Sequence, residues 1–252
     1  MDIFFAIFYQ PLYNLLVWFY DAWPGAGIGL AIVAVTVVIK GLLFPLTFKT
    51  LKSQKDMQEI QPIIKEIREK YKDDKETMSK ELMAVYKENN VNPFASCLPL
   101  LVQLPIFIAL FQVLQKGLGE VDPTILYGFV HNPGVIESVS FGIDLAVVSI
   151  PLAVAAAIAQ YYQVKYTVQT RPAPDVRKQS GAMDEDMAAS MNKMMIYMMP
   201  AMTLLFGSTS LPGGIMLYWL VTTFLTIILY KIFLSDKKTV KVGNVVEVEA
   251  KK

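Results

Sequence analysis

Four stretches of the chain are apolar for about the length of a bilayer crossing: 25–48, 97–116, 141–163 and 213–234. Roughly 20 mostly apolar residues are needed to cross about 30 Å of hydrocarbon as a helix. A fifth stretch, 194–206, is short by itself and becomes long enough as 188–206. Residues 3–20 are also apolar, but Gln10, Pro11 and Asn14 interrupt them. Tyr9, Tyr13, Trp18, Tyr20 and Trp23 in that region are the aromatic types that collect at headgroup depth. The pattern predicts an all-α membrane protein: an N-terminal interfacial helix within 1–24, then five transmembrane helices spread over 25–234. A sixth span at 3–20 is the alternative.

Between the first two spans the pattern changes. Met57, Ile60, Ile64, Ile67 and Tyr71 recur at spacings of three and four, as do Met78, Leu82 and Val85. The positions between them are Lys, Glu, Asp and Gln. One apolar stripe per helix predicts an amphipathic helical hairpin over 49–92. Asp73 with Glu76 reads as a capping box for its second helix. Glu66 with Lys70 and Glu76 with Lys80 are spaced as i,i+4 ion pairs. Pro62 is expected to kink or interrupt the first helix. Residues 170–190, with Pro172, Pro174 and Gly181, read as a polar loop. Residues 235–252 read as a short tail of mixed charge.

Composition agrees with a membrane protein: 54% of residues are hydrophobic, 18% are charged and mean hydropathy is +0.42. Net charge is only +1, which argues against a nucleic-acid partner. Of 23 Lys and Arg residues, ten lie in 49–90, five in 164–193 and six in 231–252. Basic loops stay on the cytoplasmic side. Those three segments are therefore assigned inside, and the N-terminus, 117–140 and 207–213 outside. Five spans with the N-terminus out and the C-terminus in satisfy this alternation.

Cys97 and His131 are the only residues of their types, so no disulfide forms within the chain and no zinc set is available. The topology places them on opposite sides, which argues against a Cys–His nucleophile pair. No metal, cofactor or catalytic group is expected. Residues 3–20 lack the basic n-region of a signal peptide.

Lys40 is the feature that stands out. A lysine near a helix centre costs about 2.5–3.5 kcal/mol on insertion scales. Lys49 marks the expected end of the span nine residues on, about 13 Å away along a straight helix. A lysine stem covers roughly half that distance, so snorkelling to the headgroups is strained. Thr36 shares the face of Lys40. No acidic residue sits in a span at a depth to neutralise it. An unpaired cation facing a polar pocket suits a transient anion: a solute, a lipid headgroup or an acidic peptide. Gln103 needs partners in hydrocarbon. Gln160, Gln163, Trp219, Thr222 and Thr223 are the other polar or amphipathic groups at useful depth, although threonines in spans commonly bond their own backbone. Pro99 and Pro105 interrupt span two, Pro200 interrupts span four, and Met191, Met194, Met195, Met198, Met199 and Met202 crowd the latter. Methionine suits surfaces that take varied apolar partners, and equally suits packing against lipid.

Several stretches together resemble the YidC/Oxa/Alb family of membrane protein insertases, most closely its bacterial members. They are QPLYNLLVWFY at 10–20, TVVIKGLLFPLT at 36–47, the run from MQEIQPII to NPFASCLPLLVQLPIFIAL over 57–110, MMIYMMPAMTLLF at 194–206 and LPGGIMLYWLV at 211–221. The resemblance implies five spans around a hydrophilic groove open to the cytoplasm and to lipid. A basic residue of the first span, usually arginine, attracts the acidic N-terminal segment of a substrate; here that position is Lys40. Thr36, Gln103, Trp219 and Thr223 would line the groove with it. Leu98, Pro99, Leu101, Pro105 and Phe107 on one side, with Met195, Met198 and Met202 on the other, would form an apolar slide for the entering segment. The hairpin would be a cytoplasmic lid. The expected form is the short one, without a large outside domain or a long basic tail.

The function expected is insertion of nascent membrane proteins with short acidic N-terminal tails into the bacterial cell membrane. It involves membrane lipids, and the Sec translocon and ribosome are expected partners. The work is binding, not bond breaking. A solute channel or transporter is the alternative; it predicts a through-path and further ionisable groups at mid-depth, and the inverted repeat of many transporters is not visible. A serine protease would need a histidine within the spans, and His131 is expected in the outside loop.

Overall fold

The computed structural model describes residues 3–23, 25, 27–92, 98–116, 118–168 and 194–234. The expected polar loop over 170–190 and the tail over 235–252 lie outside these residues.

A π-helical turn, Phe5–Tyr9, leads into α1, Gln10–Ala22, with Pro11 in its first turn. Proline is accepted there because the first helical N–H groups have no intrahelical partner. The helix therefore runs through the three residues expected to interrupt it. Leu12, Tyr13, Leu16 and Val17 are buried in the main core. The polar groups grip the segment after the second span. Gln10 Nε2 and Asn14 Nδ2 donate to Ile125 O at 3.1 and 3.0 Å, and Asn14 Oδ1 accepts from Tyr127 N at 2.6 Å. The hydroxyls of Tyr13 and Tyr20 accept from Asp122 N and Glu137 N.

The expected first span, 25–48, is broken. α2 is Gly27–Leu42 and α3 is Phe44–Glu59, and the two meet at an angle of 67°. Pro45 explains the bend: it has no N–H for the Gly41 carbonyl, and its ring crowds the preceding turn. Leu43 N still reaches Ile39 O and Thr47 N reaches Leu43 O, so the helical bonding resumes at once. The amphipathic hairpin follows as α4, Gln61–Lys70, and α5, Lys75–Glu88. Pro62 lies in the first turn of α4, where it separates α3 from α4 as expected. Ile60, Ile64, Val85 and Val91 form a small core between the helices, with Met57, Ile67 and Leu82 packed around it. The cap is displaced by one residue from expectation. Asp74, not Asp73, is the N-cap, accepting from Thr77 N at 3.1 Å. Lys80 pairs with Glu76 at 2.6 Å as its spacing predicts, and on α4 the pair is Lys65–Glu69 at 3.6 Å.

α6, Leu98–Lys116, contains Pro105. Two small antiparallel pairs come next: β1, Gly119–Glu120, with β2, Val135–Ile136, and β3, Val139–Ser140, with β4, Ile143–Asp144. The expected third span, 141–163, is corrected by this hairpin, because α7 is Ile150–Val168. The run from 141 to 149 is apolar enough for a hydropathy window, but Phe141 and Gly142 turn the chain at φ 54° and 73°. Pro151 then marks the first turn of the helix. A second π-helical turn, Met194–Met198, leads into α8, Met199–Thr209, and α9 is Gly213–Leu234.

The main core joins Ile28, Ile32 and Val35 of α2, Leu110 and Leu114 of α6, Ala153 and Ala156 of α7, and Ile215, Met216 and Tyr218 of α9 to α1. Small residues let α7, α8 and α9 approach closely, as in helix packing within lipid. Among the described residues, α9 is the helix long and apolar enough to cross a bilayer by itself, over Gly213–Phe233; α2 and α3 pass the same test only as a bent pair. Leu101–Gln115 and Ile196–Thr209 are shorter apolar helices.

Candidate functional site

Lys40 sits in the last turn of α2, half-buried. The C-terminal end of a helix favours a cation, since its carbonyls point that way. Its Nζ donates to Gln103 Oε1 of α6 at 3.4 Å. Gln103 Nε2 in turn donates to the hydroxyl of Tyr218 on α9. A lysine, an amide and a phenol thus connect three apolar helices. The amide orientation is fixed by its neighbours, because Lys40 can only donate and so must face the carbonyl oxygen. Among the described residues no carboxylate pairs with Lys40.

Of the other groups expected here, Trp219 stands next to the triad in sequence and packs edge-on against Phe107 of α6, with centroids 5.8 Å apart at 83°. Thr36 is fully buried and donates to Ile32 O of its own helix at 2.6 Å, the ordinary bond of a threonine within a helix. Its hydroxyl proton is thus committed to the backbone. Thr223 is buried one turn beyond Trp219. Tyr218 was not anticipated. Its phenol reads as apolar in a hydropathy pattern, and the signal available was its need for a hydrogen-bond partner once buried.

The apolar residues expected to guide a substrate are partly open. Leu101 is 64% exposed, and Leu104 and Ile108 continue its face of α6. Pro105 and Phe107 are half-buried. On α8, Met202 is exposed, as are Met199, Leu205 and Phe206, with Met198 in the turn before them. The side chains of Leu98, Pro99 and Met195 lie outside the described residues. Pro200, Thr203 and Gly207 are the buried side of α8, and Thr203 Oγ1 donates to Gln160 Oε1 of α7. The sequence pattern identifies Gln160 as a polar group at depth, but not its partner Thr203.

Two carboxylates away from the helix bundle core show how local hydrogen bonding acts on charge. The Thr77 hydroxyl, then the Thr77 N–H, hold Asp74 below the usual carboxylate range. Thr124 does the same for Asp122 in the segment after α6, again with its hydroxyl first. His131 lies in that same segment, 3.3 Å from Asp21 of α1. Among the described residues no group of His, Cys, Asp and Glu is placed to hold a metal ion.

Residues 18–239 match the family described as 60Kd inner membrane protein. The chain belongs to that family. The match runs from the second half of α1 through α9 and takes in every residue of the site. Among its relatives, the membrane protein insertase YidC of Pelobacter propionicus is 35% identical over 226 residues, which are 88% of this chain and 38% of that protein. Membrane protein insertase YidC 2 of Listeria innocua is 33% identical over 221 residues, 86% of this chain and 67% of that protein. Geobacter metallireducens has a similar relative of the same name, 33% identical over 89% of this chain and 36% of its own length. The chain thus spans well under half the length of two of these three proteins.

Proposed function

We propose that the chain is a membrane protein insertase, with the Lys40–Gln103–Tyr218 junction as the floor of a hydrophilic groove. The observation that carries this reading is a cation held between three apolar helices with an amide and, among the described residues, no carboxylate as its partner. A neutral amide orients the ammonium without cancelling its charge, so the site keeps its attraction for an incoming anion. Membership of a family whose relatives bear the name insertase supports it.

In the proposed mechanism an acidic residue in the short N-terminal tail of a nascent membrane protein meets Lys40 in the groove. The polar floor shortens the path of that tail through hydrocarbon. The apolar segment behind the tail passes along Leu101, Pro105 and Phe107 on one side and Met198 and Met202 on the other. Transfer of the segment into lipid gives roughly 25 cal/mol per Å² of apolar surface removed from water and drives release. Five spans, with the N-terminus outside and the C-terminus in the cytoplasm of a bacterial cell, place α4 and α5 at the cytoplasmic mouth as a lid. The Sec translocon and the ribosome are the proposed partners on that side.

Purified protein in liposomes tests the proposal. A small single-span substrate with an acidic tail is expected to become protease-protected in a way that depends on the protein. Flux of small solutes without insertion would favour a channel or transporter and overturn the reading.

A further inference from the structure

A cavity of about 430 Å³ opens between α7 and α8. Ala157, Ile158 and Tyr161 of α7 face Pro200, Ala201 and Leu204 of α8 across it. Alanine and proline keep the two helices' side chains short there, and the walls offer few polar atoms. The end nearest the C-terminus of α7 is different. Tyr162 completes the lining at that end, and Tyr197 brings its ring 6.2 Å from that of Tyr161. One turn further on, Lys165 Nζ lies over the Tyr161 ring at 5.9 Å. Lys231, from α9, lies over the ring of Tyr166 at 5.1 Å. Among the described residues neither lysine has a carboxylate partner.

We infer that this groove is a binding site for an anionic diacyl phospholipid of the cytoplasmic leaflet. One acyl chain occupies the apolar slot between α7 and α8, and the phosphate meets Lys165 and Lys231 at its mouth. Tyrosines at headgroup depth are amphipathic in the required sense, with an apolar ring toward the slot and a hydroxyl toward the interface. The ring faces also position the ammonium groups, Lys165 over Tyr161 of the slot and Lys231 over Tyr166 one turn beyond Tyr162. The partner is fixed by charge complementarity: two cations at the C-terminal end of α7, beside an apolar slot, select a molecule with an anionic head and a hydrocarbon tail. Because α8 carries Met202 and the turn before it carries Met198, a resident lipid would set the position of one wall of the proposed slide. The leaflet rests on the topology proposed above; the binding itself does not.

The test measures lipid retention, not insertion, so it stands apart from the insertase assay. The full chain is titrated with dioleoyl phosphatidylglycerol and with dioleoyl phosphatidylcholine in detergent, and bound lipid is counted by native mass spectrometry. Each lysine near an anionic headgroup contributes about a factor of five in affinity. Wild type is expected to retain phosphatidylglycerol over phosphatidylcholine by at least about fivefold, and Lys165→Gln with Lys231→Gln to bring the two lipids near parity. Ala201→Phe, which fills the slot without touching either charge, is expected to weaken retention of phosphatidylglycerol. No preference in wild type, or a preference that survives the double substitution, would overturn the inference. Unchanged retention in Ala201→Phe would show that the slot is not where the lipid binds.

Discussion

Lys40 and Gln103 are joined across two helices by a 3.4 Å hydrogen bond, and Gln103 passes the connection on to Tyr218. The bond is long for a charged donor, which leaves the ammonium free to exchange its partner for a better acceptor. A carboxylate arriving in the proposed groove would be that acceptor. Lys40→Arg is therefore expected to support insertion of a substrate with an acidic tail. Lys40→Glu replaces attraction by repulsion, a change of at least about 1.4 kcal/mol and so about tenfold in rate. A cell-free insertion assay with both variants checks this. Equal rates for the Glu variant and wild type would remove Lys40 from the mechanism.

The same junction makes a stability prediction. Gln103→Leu leaves the Lys40 ammonium without the amide and the Tyr218 hydroxyl without its donor. Loss of a buried partner costs about 1–3 kcal/mol. Thermal unfolding in detergent should show Gln103→Leu clearly below wild type, and Tyr218→Phe between the two. A Gln103→Leu protein as stable as wild type would mean the amide is not buried in this network.

Gln160 and Thr203, both buried, tie α7 to α8 by one side-chain hydrogen bond. Couplings of this kind between helices in membrane proteins average about 0.6 kcal/mol and reach about 1.7. A double-mutant cycle with Gln160→Leu and Thr203→Val is expected to fall in that range. A coupling of zero, with both single variants destabilised, would show that each residue acts through packing alone.

Much of the helical organisation was legible in the sequence, and the corrections share a cause. Hydropathy windows count apolar residues and do not see backbone geometry. By hydropathy the first span runs straight through Pro45, which sets the depth of Lys40 along a helix that in fact turns by 67° at Leu43. That turn puts Lys40 in a last helical turn, where a cation is favoured, and makes its position less costly than the straight-helix arithmetic implied. By hydropathy the third span runs through Phe141–Gly142, a turn whose positive φ values belong to a hairpin and not to a helix. Gln103 was legible because an amide in an apolar helix demands partners. Tyr218 and Thr203 were not, because each becomes informative only when the helix facing it is known.

Gly207 of α8 sits where a side chain has no room. A Cβ built there would come 2.5 Å from Met216 Sδ and 2.9 Å from the Ala153 Cβ. The methionine end can move, but Ala153 is held on α7. Gly207→Ala is expected to destabilise by about 1–3 kcal/mol, the usual cost of overpacking. At Gly41, by contrast, nothing lies within 4 Å of the added Cβ. There Gly41→Ala is expected to be neutral or stabilising, since alanine suits a helix better by about 1 kcal/mol. Comparing the two variants by thermal unfolding separates close helix approach from backbone preference. Equal effects at both sites would refute the packing argument.

The hairpin offers a pH test. Asp74 caps α5 by accepting from both the hydroxyl and the N–H of Thr77, at 2.6 and 3.1 Å. These bonds favour the carboxylate and hold its pKa below the ordinary value of 3.8. A depressed folded-state pKa means that the contribution is fully present above the ordinary value. It is lost as pH falls through the lower, folded one. The helix α5 should thus stay capped throughout the neutral range and fray only in strong acid. Thr77→Val removes the hydroxyl, the first of the two causes, so the pKa of Asp74 should rise toward 3.8 and fraying should begin at higher pH. Hydrogen exchange of the amides of Thr77 and Met78, followed through an acid titration, reads this directly. A Thr77→Val protein whose exchange profile matches wild type would show that the hydroxyl is not what holds the cap.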